Sequence, residues 1–415
     1  MQLKTLLNRV QKHKGFVYDH VRLVGTDAPR LVARIRPRAG SKPTCSGCGR
    51  AGPCYDTQPV RYFQFVPLWG MRVLFEYAMR RVKCSRCGVK VESVPWAVGK
   101  SPITTTYAWF LAAWAKRMSW KEVADAFRTS WDTVFRAVEL AVAWGLQHRD
   151  LKGIRAIGVD EVLWHRGHKY LTVVYQIDEH CKRLLWIGLD RTTKTLDTFF
   201  NKFGPRAHRL RWVCSDMWKP YLDVIARRAK QAVHVLDRFH IVAKMNKAID
   251  EVRADEARRM KREGHEPLLK HSRWCLLKRP ENLTGNQRVK LTDLLRYNLR
   301  TVRAYLLKED LQLLWDAPTA ERADTFIKDW TFQAMRSRIE PVKKIAKMLR
   351  RHSALILNWF RACGTISAGS VEGMNNKLKV TTRRAFGLRT FKATEIALYH
   401  ALGGLPEPRT AHRFF

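Results

Sequence analysis

Residues 154–162 read IRAIGVDEV, residues 169–178 KYLTVVYQID and residues 183–189 RLLWIGL. Each run is apolar or alternating and rich in β-branched side chains, so each predicts a strand. Gly167, between the first two, suits a hairpin turn. A helix is expected over TLDTFFNKF (195–203), a strand over RWVCSD (211–216), a helix over MWKPYLDVIARRA (217–229) and a strand over QAVHVLD (231–237). A long helix then opens with RFHIVAKMNKAIDEVRADEARR (238–259). The order is three antiparallel strands, helix, strand, helix, strand.

That is the ribonuclease-H-like order, in which the first and fourth strands are neighbours. Their acids, Asp160 and Asp216, would then face each other. A third acid, Glu372, opens the amphipathic stretch VEGMNNKLK (371–379). A carboxylate on a hydrophobic strand is costly to bury unless it binds something. Three converging carboxylates make an oxygen-ligand site for a hard cation such as Mg²⁺. Each acid also has a plain structural reading: Asp160 as a strand-end turn residue, Asp216 as a helix N-cap, Glu372 as a first-turn helix acid. What favours the site is that all three fall where the fold order brings them together. Asp237, ending the fifth strand, is the competitor for a place there, though an N-cap role is the simpler expectation. Glu161 should point away from Asp160 by strand alternation. On the helix that Glu372 begins, Asn376 and Lys379 share its face. Lys377, Arg383, Arg384 and Arg389 add basic groups for phosphate.

The chain of 415 residues has 77 Lys plus Arg and 37 Asp plus Glu, so 77 − 37 = +40. Such an excess footprints onto nucleic acid through phosphate contacts and counterion release. The length suggests about two to four domains, which argues against a small ribosomal protein. Apolar content and 15 Trp suffice for filled cores, so disorder is not expected. No run of about 18 apolar residues is present, so no membrane span or membrane partner is expected. The N-terminal MQLKTLLNRVQKHKG lacks a signal-peptide core. The expectation is a cytoplasmic, nucleoid-associated protein with reduced thiols.

Four of the nine cysteines form two C-x2-C knuckles, Cys45/Cys48 and Cys84/Cys87, followed by Gly49 and Gly88. Two knuckles complete a tetrahedral structural zinc site. The intervening VRYFQFVPLWGMRVLFEYAMRRVK reads as two strands, with the knuckles at hairpin ends. The separation exceeds the commonest ribbon loop by roughly 15 residues. Cys54 is a spare thiol nearby, best read as a non-ligand. Cys181, Cys214, Cys275 and Cys363 sit in apolar contexts and read as core residues.

Residues 103–146 read as helical. Ser119-Trp-Lys-Glu122 is a capping box opening a short helix through Phe127. Arg128-Thr129-Ser130 makes a turn, and Ser130 can cap the next helix. The apolar spacing of Val123, Ala124, Phe127, Val134, Phe135 and Val138 fits a helix-turn-helix. Its second helix would carry Trp131, Asp132, Thr133 and Arg136 toward the major groove. A plain helical hairpin is the alternative. Residues from about 240 to 360 read as a helical insertion, with Trp274, Trp315, Trp330 and Trp359 as core anchors and stacking on DNA as the lesser reading. The division expected is a β-rich zinc-ribbon domain (1–98), a helix-turn-helix (99–150), the first part of a ribonuclease-H-like core (151–240), an all-α insertion (241–362) and the final part of the core (363–415). The fold class is multidomain α/β.

The chain resembles the ISL-three family of bacterial insertion-sequence transposases. The resemblance rests on the four-cysteine ribbon, the helix-turn-helix, IGVDE, CSDMWKPY, LDRFH and SVEGMNNKLK before RRAFGLR. It implies an Asp-Asp-Glu catalytic triad of Asp160, Asp216 and Glu372. The expected mechanism is phosphoryl transfer with two Mg²⁺ ions, or Mn²⁺, with Asp160 bridging them. The partners would be the terminal inverted repeats and a target DNA, engaged by a homodimer. A structure-specific nuclease would not need a sequence-reading front end. A transcription regulator derived from a transposase would not need three acids.

Overall fold

The computed structural model describes residues 2–165, 167, 169–362, 368–385 and 388–408. The chain divides into two compact units, Met1–Asp150 with Val380–Phe415, and Leu151–Lys379. No helix among the described residues is long and apolar enough to cross a membrane.

In the first unit, α1 (Leu3–Val10) leads into β1 (Phe16–Val24), β2 (Arg30–Pro37), β3 (Cys54–Leu68), β4 (Met71–Cys84) and β5 (Gly88–Val91). Among the described residues these strands form one sheet in the order β1-β2-β4-β3, with β5 on β4. The core is aromatic. Trp96 stands edge-on to Phe16 at 4.9 Å and to Tyr77 at 5.2 Å between ring centroids, a geometry that adds to burial alone. Glu92 is buried beside them without an unmet charge. It accepts from the Tyr77 hydroxyl (2.5 Å) and the Arg80 backbone N–H (2.7 Å), and pairs with the Arg80 guanidinium (2.8 Å). β3 and β4 close through a two-residue turn in which Trp69 has φ +53° and Gly70 φ +74°. Two positive φ values are the requirement of a type I′ hairpin.

Three helices follow: α2 (Thr105–Ala115), α3 (Trp120–Ala126) and α4 (Trp131–His148). Both halves of the Ser119/Glu122 capping box form, and Ser130 caps α4 through the Thr133 N–H. The turn contains no glycine, and Arg128 takes the left-handed conformation itself, at φ +47°. Val123, Ala124, Val134 and Val138 are buried, as their spacing predicts.

The second unit is built on β6 (Ala156–His165), β7 (Lys169–Asp178) and β8 (Cys181–Leu189), then α5 (Thr193–Phe203), β9 (Trp212–Ser215), α6 (Lys219–Arg228) and β10 (Val233–Leu236). Among the described residues the sheet order is β10-β9-β6-β7-β8. β6, β7 and β8 are antiparallel, while β9 and β10 run parallel to β6. The first and fourth strands of this unit are therefore neighbours, as expected. One face is covered by α5 and α6 through Leu196, Phe199, Phe200, Tyr221 and Ile225.

The helices α7 (Arg238–Arg262), α8 (Arg273–Leu277), α9 (Gly285–Leu294), α10 (Arg300–Gln312), α11 (Ala320–Arg336) and α12 (Glu340–Arg361) enclose a separate core. Trp330 is buried there and donates to the Leu307 carbonyl (2.8 Å), and Trp315 packs edge-on to Trp359. Trp274 departs from the expectation of a core anchor. The short α8 turns Cys275 and Leu276 inward, which leaves Trp274 54% exposed with Arg273 over its ring. Cys214 and Cys275 are buried and Cys181 half-buried, while Cys363 lies outside the described residues.

Helix α13 (Ala368–Arg384) approaches β6 closely, and α14 (Phe391–Leu402) follows it. A Cβ on Gly158 would stand 2.4 Å from Val371 Cγ2, so only glycine in the IGVD run admits this contact. Overpacking of this kind costs about 1–3 kcal/mol. Gly158→Ala should lower stability by about that much, and Val371→Ala in the same chain should recover most of it. A denaturant double-mutant cycle checks this; additive losses would mean the two residues do not meet.

Candidate functional site

The register of the second sheet sets the site. Val159 pairs with Ser215 across β6 and β9, and Ser215 pairs with Leu236 across β9 and β10. The next residue along each strand direction is Asp160, Asp216 and Asp237. Neighbouring strands lie about 4.8 Å apart, so three acids stand in a row at one level of the sheet. Asp160 lies inside β6 rather than at its end, because the strand continues to His165.

The carboxylates are held unequally. Asp160 is buried and both its oxygens are engaged: Oδ1 accepts the Glu161 N–H (2.8 Å) and Oδ2 accepts from Asn375 Nδ2 (2.5 Å). The Tyr175 hydroxyl in turn donates to Asn375 Oδ1 (2.9 Å), which fixes the amide. Asp237 caps α7 through the Phe239 N–H (2.8 Å), as its N-cap reading predicts. His240, one turn on, places Nε2 4.0 Å from Asp160 and 3.7 Å from Asp237. Asp216 follows β9 and accepts the Trp218 N–H (3.0 Å).

Electrostatics tie these groups together. Burial raises the pKa of Asp160 and of Asp237, and Glu372 adds to the second rise through its charge. Burial, then the charge of Glu161, pushes Asp216 up to about 6. Glu161 points to the other side of β6, where it pairs with Arg191 (3.3 Å), yet it remains close enough to act on Asp216. Arg191 lies over the rings of Tyr170 and Trp218. The second Glu161 oxygen, Oε2, is buried with no hydrogen-bond partner. An unmatched carboxylate oxygen among raised carboxylates is a donor set suited to a hard cation. As a trio, Asp160, Asp216 and Glu372 do not have ligand atoms all within 4.8 Å of one another; among the described residues only the four cysteines reach that closeness.

Glu372 sits exposed on α13, and Asn375 rather than Asn376 reaches Asp160. The buried stripe of Val371, Met374 and Leu378 places residue 375 inward and residue 376 outward. That 3-4 spacing is readable in the sequence. His240, Asn375, Tyr175 and Arg191 are the site residues that sequence reasoning passed over. Lys377, Lys379, Arg383 and Arg389 are exposed. Arg384 donates to the carbonyls of Lys116 (3.0 Å) and Arg117 (3.2 Å) and so closes the end of α2. On α4, Trp131 stacks on Phe135 and is 44% exposed, and Arg136 pairs with Asp132 (2.9 Å). Thr133 and Arg136 line a cleft of about 410 Å³ with Lys100, Ser101 and Thr104.

In the first unit the four sulfurs of Cys45, Cys48, Cys84 and Cys87 lie within 4.8 Å of one another, and Cys48 and Cys84 are 3.5 Å apart. Zn–S bonds of about 2.3 Å in a tetrahedron need sulfurs about 3.8 Å apart. Gly49 and Gly88 take positive φ in the knuckle turns. Backbone N–H groups of Arg86 and Cys87 bring the Cys84 thiol down to about 6. Sharing with Cys48 pushes Cys87 up to about 12. The set fits a zinc ion: Cys84 is poised as a thiolate, and a cation removes the competition that keeps the proton on Cys87. Cys54 is exposed and outside the cluster.

Comparison with known proteins gives the class. Residues 157–398 match a family model described as Transposase, of the ISL3 type. The chain is 32% identical over 391 residues to the transposase for insertion sequence element IS1001 of Bordetella parapertussis, covering 93% of this chain and 95% of that one. It is 31% identical over 398 residues to the transposase for insertion sequence element IS1557 of Mycobacterium tuberculosis, covering 88% and 87%. A Drosophila P element transposase strand transfer complex matches with a TM-score of 0.38 and 9% identity, over 73% of this chain and 91% of that one. The chain belongs to the ISL3 transposase family.

Two outcomes are expected. The folded pKa of Asp216 lies above its unfolded value, so the ionised group weakens the metal-free fold as pH rises through about 4 to 6. Asp216→Asn should therefore raise the melting temperature at pH 7.5 in chelator, by roughly 2–4 °C, and the gain should fade toward pH 4. No gain at pH 7.5 would mean that the carboxylate is not under strain. Purified protein should also carry one zinc per chain, and Cys48→Ser should lose it and unfold residues 40–95. Structural zinc supplies ~10–16 kcal/mol in isolated fingers. Elemental analysis without zinc would refute this.

Proposed function

We propose that this protein binds the terminal inverted repeats of an insertion sequence and catalyses DNA cleavage and strand transfer at them. Its catalytic carboxylates are Asp160, Asp216 and Glu372, on a ribonuclease-H-like core. The observation that carries this reading is the row of acids on neighbouring strands, raised in pKa and flanked by the unpartnered Glu161 oxygen. Family membership and relatives that are transposases for insertion sequence elements support it.

Two Mg²⁺ ions, or Mn²⁺, held by these carboxylates would supply activation of the attacking water or 3′-hydroxyl and stabilisation of the leaving oxygen. The chain's own residues hold the geometry. Asn375 and the Glu161 N–H fix Asp160 in one orientation. His240 sets an imidazole between two carboxylates that would otherwise repel. Asn376, Lys377 and Lys379 ride on the helix of Glu372, where phosphate would approach, with Arg383 and Arg389 beyond. A helix-turn-helix of α3 and α4 reads duplex DNA through Thr133 and Arg136, beside Trp131. A structural zinc in the cysteine cluster stiffens the hairpin that supports it. Two ends must be cut together, so the active species is a homodimer on both inverted repeats and target DNA.

The test is a plasmid carrying the coding region with its flanking DNA. Asp160→Asn, Asp216→Asn and Glu372→Gln should each cut Mg²⁺-dependent 3′-end formation by about 10³-fold or more, with end binding changed less than about threefold. Near-normal cleavage by any one variant removes that residue from the triad; for Asp216 it would direct attention to Asp237.

A further inference from the structure

The tip of the β3–β4 hairpin breaks a local rule. A type I′ turn with two positive φ values favours Asn-Gly or Asp-Gly, because a branched or bulky side chain crowds its own backbone there. This chain places Trp69 at the first position, at φ +53°, with its ring 80% exposed. The ring is neither helped by the turn nor sheltered by the fold. Backbone strain of this kind costs about 1–3 kcal/mol and clusters at ligand clamps and other functional sites.

Its neighbours indicate what the ring meets. Arg72, three residues on, donates to the backbone carbonyl of Arg128 at 2.6 Å. Arg128 is the exposed left-handed residue of the α3–α4 turn. The hairpin thus meets that turn three residues from Trp69, and Trp69, Arg72 and Arg128 are all exposed. On a chain of net charge +40, the complementary surface is polyanionic with flat apolar faces inside it. We infer that Trp69 is a wedge that stacks on a base step of duplex DNA, opening and bending it while Arg72 and Arg128 hold the flanking phosphates. Apolar side chains used this way unstack flexible pyrimidine–purine steps. The inference rests on the DNA-binding reading proposed above.

The probe is a 40-bp duplex carrying a TpA step in every helical turn, with 2-aminopurine beside the steps and a dye on each end. Wild-type protein should raise 2-aminopurine fluorescence and bring the ends together. Trp69→Asn should lose both signals and bind about 5- to 30-fold more weakly, yet melt about 2–4 °C higher because Asn suits the turn. Trp69→Phe should keep most of the unstacking. The inference is overturned if Trp69→Asn unstacks and binds like wild type, if it melts lower, or if it changes only the oligomeric state, the ring then packing on a second copy. Wild-type binding without unstacking also overturns it and leaves the DNA-binding reading intact. Wild-type protein that does not bind the duplex at all removes that reading itself.

Discussion

Repulsion among carboxylates held at one level of a sheet is the constraint on which the second unit depends. Pairing of Val159 with Ser215 and of Ser215 with Leu236 leaves no freedom in where Asp160, Asp216 and Asp237 fall. Such a row is unfavourable in a half-buried place. The surrounding structure is arranged to tolerate it: an imidazole between two of the acids, an amide clamped by Tyr175 on the third face, and a guanidinium on Glu161. Gly158 serves the same end from the backbone, because without it α13 could not come close enough to deliver Asn375.

The two units handle charge in different ways. In the sheet of the first unit, Glu92 is buried but fully matched by Tyr77 and Arg80, so it stabilises the fold around it. In the second unit, Glu161 Oε2 is buried and unmatched and Asp216 is shifted upward. The first pattern is that of a structural element; the second leaves carboxylate charge uncompensated among half-buried groups, as functional sites do. The same contrast holds for strain. Gly49, Gly70 and Gly88 take positive φ where glycine does so freely, whereas Trp69 and Arg128 take it at residues that do not.

Much of this was legible in the sequence because strand and helix periods are local. The order of elements from Ala156 to Arg262, the Ser119 and Ser130 caps, the Asp237 N-cap and the four-cysteine cluster all follow from spacing and turn chemistry. What escaped depends on partners distant in sequence. Glu161 alternates away from Asp160 as expected, but the neighbouring strand brings Asp216 within reach of its charge. Asn375 is adjacent to the expected Asn376, and the buried stripe of Val371, Met374 and Leu378 decides between them. Trp274 reads as core because five residues are too few to phase its short helix. Arg384 read as a phosphate contact, yet it meets carbonyls more than 260 residues away in sequence.

We propose that the row of carboxylates holds a hard divalent cation, and one measurement tests this directly. Fe²⁺ with ascorbate, substituted for Mg²⁺, generates hydroxyl radicals that cut the polypeptide next to wherever the ion is bound. The fragments should end near residues 160, 216, 237 and 372, and excess Mg²⁺ should suppress all of them together. Cuts confined to other positions, or cuts at these positions that survive in Asp160→Asn and resist Mg²⁺, would contradict the account.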